Sequence, residues 1–199
     1  MSLKAAEFSF DLTVPMESTR LILRRVDKND LTALLDVHSL DEVTRFLPYA
    51  TWKNISDAEA WYERILMYHA QNKARHFVVV NKEENLVIGF CLLFEFNPSD
   101  ARAEIGFVLG RRYWGQGFMR EALFLFLSQV FEKTPWRRIE AQADSRNVPS
   151  DRLLRALGFV REGLLRQRWV DQGEIRDVNI YGLLKNDWLA AASSKKLDQ

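Results

Sequence analysis

The sequence predicts an α/β fold (α+β by some conventions): one mixed, mostly antiparallel sheet of about seven strands, with helices on both faces. Three observations lead there. The apolar pattern orders the elements as β, α, α, β, β, β, α, β, α, β, β. The three β-runs in the middle are separated only by short polar turns, the mark of an antiparallel meander. Every later element is needed to cover the same sheet. A single domain over residues 18–190 is therefore expected, with an N-terminal arm at 1–17 and a C-terminal tail at 191–199.

Arg20 to Val26 is a short β-run, with Leu21 and Leu23 on one side and Ile22 on the other. The segment Asp27-Lys28-Asn29-Asp30 offers an N-cap, and Leu31, Leu34, Leu35 and His38 follow at helical spacing. Ser56 and Glu59 read as a capping box for a helix to about Gln71, with a stripe of Ala60, Trp61, Ile65 and Tyr68. The meander runs through His76–Asn81, Leu86–Phe96 and Ala103–Leu109. The period then changes, and Gly117–Phe131 is a helix apolar enough to be nearly surrounded by protein. Arg138–Asp144 alternates as a strand, and Asn147–Leu157 is a helix stopped by Gly158. Phe159–Val170 and Asp177–Leu184 are extended runs around Asp171-Gln172-Gly173, a hairpin turn signal.

Composition removes several function classes. Lys and Arg number 28 against 27 Asp and Glu, a net charge of +1, so no global field draws the chain to nucleic acid or an anionic membrane. The single Cys91 excludes an intrachain disulfide and a multi-cysteine zinc site. His38, His69 and His76 lack ligand spacing, and no metal is expected. The opening residues carry no apolar signal region, and the longest apolar stretch, Leu86–Phe94, is half of the ~20 residues a bilayer span needs. A cytoplasmic protein without a membrane partner is expected.

One segment carries chemistry. Leu109 to Arg120 (LGRRYWGQGFMR) lies between a strand and an apolar helix, with Gly115 and Gly117 where the helix begins. Glycines there free backbone N–H groups to approach an anion, and the helix dipole favours negative charge. A phosphate or pyrophosphate suits this place; a tight turn that simply needs two glycines is the plainer alternative. No Lys-Ser/Thr follows Gly117, so this is not a Walker A loop. The third glycine of the dinucleotide fingerprint is also missing.

Arg112-x-x-Gly115-x-Gly117 resembles the R/Q-x-x-G-x-G/A signature of the GNAT superfamily of acetyl-CoA-dependent N-acetyltransferases. The surrounding AEIGFVLGRRYWGQGFMREAL is similar to the ribosomal-protein N-terminal acetyltransferase branch. Arg20-Leu21-Ile22-Leu23-Arg24 resembles that branch's opening strand. Asn147-x-x-Ser150, ending in Leu157-Gly158-Phe159, resembles its second cofactor motif. Together these matches cover roughly residues 18–189. The resemblance implies that acetyl-CoA is the co-substrate. Its pyrophosphate would lie on the amides of Arg112, Gly115, Gln116, Gly117, Phe118 and Met119. Its pantetheine would lie along Phe107, Val108 and Leu109, with Asn147 bonding it and Ser150 near the sulfur. The partners implied are acetyl-CoA and an amine acceptor, with a ribosomal-protein N-terminus as one candidate, for a monomer or homodimer.

The implied transfer needs a base, an oxyanion donor and a proton for the leaving thiolate. Glu104 is the base candidate, as the carboxylate sharing a strand face with Gly106 and Val108; a structural pair with Arg102 or another arginine is the alternative. Many family members place an acidic Tyr four residues before the Gly of the Gly-Phe pair, where this chain has Leu154. Ser150 is then the acid candidate, against the reading of an ordinary first-turn serine. Residues 46–52, with Leu47, Pro48 and Trp52, form either a lid on the core or one wall of the acceptor cleft. Arg161, Arg166 and Arg168 read as a solvated face, with Arg166 or Arg168 placed to meet a carboxylate on an acceptor. Arg111, Arg112 and Arg120 either add charge near the pyrophosphate or are solvated, and Cys91 reads as core. An α-amine is expected as acceptor. A small amine (polyamine, antibiotic or amino acid), a non-catalytic acyl-CoA-binding module and an RNA-associated protein remain as alternatives.

Overall fold

The structure, a computed structural model, describes residues 15–171 and 173–197. Its strands are β1 (Met16–Glu17), β2 (Leu21–Arg25), β3 (Ala74–Asn81), β4 (Leu86–Asn97), β5 (Arg102–Leu109), β6 (Arg138–Asp144), β7 (Val160–Asp171) and β8 (Glu174–Leu184). They form one sheet in the order β1-β2-β3-β4-β5-β6-β8-β7. Every neighbouring pair is antiparallel except β5 and β6. The helices are α1 (Leu31–His38), α2 (Asp41–Thr44), α3 (Ile55–Ala70), α4 (Phe118–Lys133), α5 (Val148–Ala156) and α6 (Lys185–Leu197).

The expected meander is β3-β4-β5. The eighth strand is Met16–Glu17, which pairs with Ile22 and Leu23; residues 1–14 of the expected arm lie outside the described residues. At the other end α6 leaves β8 without a break and runs to Leu197, so the expected tail at 191–199 is helical where it is described. The hairpin between β7 and β8 closes near Gly173, whose φ is 82°; Gln172 lies outside the described residues.

Two cores sandwich the sheet. On one face Leu34, Val37, Trp61 and Ile65 of α1 and α3 pack on Val78, Val80, Phe90 and Val108. On the other, Leu123, Phe126, Leu127 and Val130 of α4 pack with Leu21, Leu23, Phe77, Ile105 and Tyr181. Strands β2 to β5 thus contribute residues to both, which is why β3 and β4 read as nearly continuous apolar stretches. Helix α3 starts earlier than the capping-box reading placed it. Asn54, not Ser56, is the N-cap: its side chain accepts from Ser56 N at 2.9 Å, and Asp57 returns the bond to Asn54 N. The buried stripe is accordingly Ala58, Trp61 and Ile65, while Ala60 and Tyr68 face out.

The one parallel pair positions the site. A parallel neighbour needs a crossover, and α4 supplies it between β5 and β6. Pairing between the two stops after Glu104 and Glu140. Beyond that point β5 stays with β4 as far as Leu109 opposite Gly89, and β6 stays with β8 as far as Asp144 opposite Val178. A Cβ at Gly89 would collide with the Val108 carbonyl, so glycine lets β4 hold β5 this closely. The two strands diverge, and the sheet opens as a wedge.

Candidate active site

A cavity of about 770 Å³ fills this wedge and passes from one face of the sheet to the other. Val43, Arg45, Phe46, Leu47 and Val108 line it on the α1 side. Phe107, Phe118, Met119, Asn147, Ser150 and Leu153 line it on the α4–α5 side. Parallel strands deliver the N-termini of α4 and α5 to the same end of the sheet, and crevices of this kind beside strand ends take ligands.

The glycine loop forms the outer rim. Gly115 (φ 73°) and Gly117 (φ 80°) are both left-handed. Gly117 is the N-cap of α4, and no side chain caps that terminus, so its first N–H groups remain free for an anion. A Cβ at Gly115 would meet nothing within 4 Å, so the space over the loop is open. The loop is braced from behind. Trp114 Nε1 donates to the Leu109 carbonyl at 2.7 Å, Gln116 Nε2 to the Arg112 carbonyl at 2.7 Å, and Arg20 Nη1 to the Gln116 carbonyl at 3.2 Å. Arg112 turns its side chain to Glu84 on the surface, and Arg111 Nε donates to Glu42 Oε2 at 2.6 Å. These residues fit a pyrophosphate group through backbone amides rather than through Arg111 and Arg112, while Arg120 lies on the cavity lining. Asn147 accepts from Ser150 N at 3.2 Å and so caps α5, leaving the Ser150 hydroxyl beside the cavity. Leu154, at the place of the family's tyrosine, is 1% exposed and packs in the core; Leu153 faces the cavity instead.

Glu104 sits at the last paired position before the strands part, opposite Phe94 on β4 and Glu140 on β6; neither it nor Gln142 is on the cavity lining. The structural-pair alternative is not what forms. Arg102 turns to Glu140 at 2.9 Å, and the partner of Glu104 is Gln142, whose Nε2 donates to Oε2 at 3.0 Å. Burial pushes the Glu104 carboxyl up to about 7; Glu140 and Glu95 add to the rise, while Gln142 and Arg102 oppose it.

The acceptor-side residues divide. Leu47 lines the cavity. Trp52 does not: it is 4% exposed, stacks on His38 with ring centroids 4.1 Å apart and meets Trp61, so it is core and corrects the cleft-wall reading. Pro48 is exposed on the loop outside the cavity, and Arg168 is exposed in the bulged part of β7, away from the cavity lining. The loop is held from two sides. His38, neutral because burial lowers its pKa to about 4, meets the Leu34 carbonyl through Nδ1 at 2.7 Å and Tyr49 OH through Nε2 at 3.2 Å. Arg176, 8% exposed, donates to the Arg45 carbonyl at 2.8 Å and pairs with Asp171 at 2.9 Å. Sequence reasoning missed Glu42, Val43, Arg45 and Arg152 on the lining, and Gln142 beside Glu104. Only Gln142 left a signal, as a polar residue alternating with Ala141 and Ala143.

Among the described residues no cluster of His, Cys, Asp and Glu could hold a metal ion, and no helix is long and apolar enough to cross a membrane. The family described as Acetyltransferase (GNAT) domain matches residues 20–160. An uncharacterized N-acetyltransferase, p20 of Bacillus licheniformis, is 34% identical over 169 residues, covering 85% of this chain and 95% of its own. The ribosomal protein uS5-alanine N-acetyltransferase of Escherichia coli K12 is 27% identical over 193 residues, covering 91% of this chain and 97% of its own. The crystal structure of spermidine N-acetyltransferase from Vibrio cholerae, with CoA and spermine, shares the fold at a TM-score of 0.75 and 23% identity, over 86% of this chain and 99% of that one.

Proposed function

Since this chain belongs to the GNAT acetyltransferase family and is an acetyl-CoA-dependent N-acetyltransferase, we propose that its acceptor is the free α-amine of a protein N-terminus, with a ribosomal protein as the candidate substrate. The observation that carries this reading is one carboxylate, Glu104, tuned to about 7 at the root of the wedge. An α-amine titrates at about 7.7–8.0 and a lysine amine at about 10.4. Proton transfer to such a base is uphill by about 1 kcal/mol from the former and about 4.6 kcal/mol from the latter, at 1.36 kcal/mol per unit. The charge around the acceptor side supports the same choice. Glu42 is matched by Arg111, and Glu140 by Arg102 and Arg138, so these two carboxylates are already neutralised and less able to gather a polycation. The E. coli relative named for uS5 alanine agrees with it.

Bound acetyl-CoA supplies the activated acyl group. The amides of Gly115 to Met119 hold its pyrophosphate, and Asn147 bonds the arm that Phe107 to Leu109 flank. Glu104 takes the proton of the amine, and the Ser150 hydroxyl donates toward the sulfur. Leu47, with Val43 and Phe46, walls the acceptor, while Pro48 and Arg168 flank its extension. This reading puts the enzyme in the cytoplasm. The test is a panel of short peptides with free or blocked N-termini, lysine peptides and spermidine, with acetyl groups mapped by mass spectrometry. Acetylation of free N-termini alone is expected; acetylation only of lysine or spermidine overturns the choice of acceptor.

A further inference from the structure

Building on the base reading of Glu104, we propose that Gln142 is the positioning residue of the acceptor site: its Nε2 fixes the Glu104 carboxylate, and its Oε1 accepts an N–H of the incoming amine. Gln142 lies two residues past Glu140, just where β6 parts from β5, and on the same face as Glu104. In its ionised form, the one that acts as base, Glu104 only accepts, so the 3.0 Å contact is then made by the amide nitrogen and the amide orientation is set for that form. That leaves Oε1 turned away from Glu104. It is buried and accepts from no protein group among the described residues. A buried amide oxygen without a donor is unfavourable, and here it stands beside the one side chain suited to receive the amine's proton.

An ammonium group has three N–H bonds. One proton passes from its nitrogen to the Glu104 carboxylate, the N–H bond breaking as an O–H bond forms. A second N–H points at Gln142 Oε1, and the freed lone pair is thereby fixed in direction toward the wedge. The other charged groups around Glu104 are Glu140 on β6, Glu95 on β4 and Arg102 on β5. Arg102 is committed to Glu140, which leaves Gln142 as the hydrogen-bond donor at the carboxylate.

Gln142→Met removes both contacts at similar volume. The acid limb of kcat/KM for the amine should move up by about one pH unit, as a hydrogen bond to a charged group is lost. The alkaline plateau should fall about tenfold through the lost amine contact. KM for acetyl-CoA should stay the same. Gln142→Glu keeps an acceptor oxygen but sets a second carboxylate against the first, so its acid limb should move up at least as far. A Gln142→Met enzyme with wild-type acid limb and plateau overturns the inference. If that variant melts early, an unmoved acid limb in Gln142→Glu overturns it equally. Glu104→Gln separates the two ideas: a wild-type acid limb there sinks the base reading, whereas a lost limb there with an unmoved Gln142→Met sinks only the role of Gln142.

Discussion

Arg20 and Glu121 lie 101 residues apart and meet three times, Nε donating to Oε2 at 2.7 Å, Nη2 pairing with the same oxygen at 2.6 Å and the backbone N–H donating to Oε1 at 3.3 Å. The contact ties the start of β2 to the first turn of α4. The same guanidinium lies 4.3 Å over the Phe118 ring and donates to the Gln116 carbonyl. One side chain therefore braces the glycine loop from behind. Arg20→Met keeps the stem and the backbone N–H but loses every side-chain donor. The pair is partly exposed, so global stability should fall by no more than about 1 kcal/mol. KM for acetyl-CoA should rise several-fold with kcat nearly unchanged. Steady-state kinetics at saturating amine measure this, and an unchanged KM would show that the loop holds its shape without Arg20.

The two loop glycines should respond differently to a side chain. At Gly117 a β-branched residue must take φ near 80° at the helix N-cap, where the amides face the pyrophosphate. Gly117→Val should abolish the rise in melting temperature that acetyl-CoA gives the wild type by mass action. At Gly115 a methyl meets open space, so Gly115→Ala carries only the left-handed strain of roughly 1–2 kcal/mol. It should melt lower yet keep most of the ligand shift. Equal loss in both variants would count against amide binding at Gly117.

Glu104 links activity and stability to pH with opposite signs. Only the carboxylate can take a proton, so kcat/KM should rise with pH through about 7. Glu104→Gln should remove that limb and lower the rate by roughly 10²–10⁴-fold. For stability, the folded carboxyl keeps its proton between the ordinary value of 4.5 and about 7, a range in which the unfolded chain has lost it. Stability therefore falls as pH rises through that window and levels off above it. Glutamine escapes this, so the melting temperature of Glu104→Gln relative to wild type should be higher at pH 8 than at pH 5. A difference independent of pH would mean that burial does not perturb Glu104.

Seven strands, the meander and helices α1, α3, α4 and α5 were legible because their signals are local: alternation, polar turns, caps, and glycines at helix ends. Met16–Glu17 and Asp41–Thr44 are too short to show a period, and the first is defined only by its partner across the sheet. The start of α3 was misplaced because Asn54 and Ser56 both satisfy a capping pattern, and packing of Ala58 decides between them. In the site, backbone features were readable since glycine spacing is itself the signal. Trp52 was not, because an aromatic in a loop reads the same whether it covers a ligand or stacks on His38. The Arg20 brace and the Gln142 contact join residues 101 and 38 positions apart, and one sequence carries no trace of such pairs.

Ser150 and Leu154 test how the leaving sulfur is protonated. Ser150 lines the cavity at the first turn of α5 with its N–H already taken by Asn147, so its hydroxyl is the group left to donate. Ser150→Ala should lower kcat about tenfold, the worth of one hydrogen bond to a charged atom, with little change in acetyl-CoA affinity. Leu154 stands where many relatives in the family carry a tyrosine, yet its side chain points into the core and its neighbour Leu153 faces the cavity. A tyrosine there would have to displace packed side chains, at a cost of about 1–3 kcal/mol, and its hydroxyl would not reach the wedge without that rearrangement. Leu154→Tyr should therefore melt lower and leave kcat unimproved. The double variant, Ser150→Ala with Leu154→Tyr, should be as slow as Ser150→Ala alone. Recovery of kcat in the double variant would mean that α5 can turn the new phenol into the cavity. The packing of this helix, rather than the lost hydroxyl, would then be what sets the acid in this enzyme.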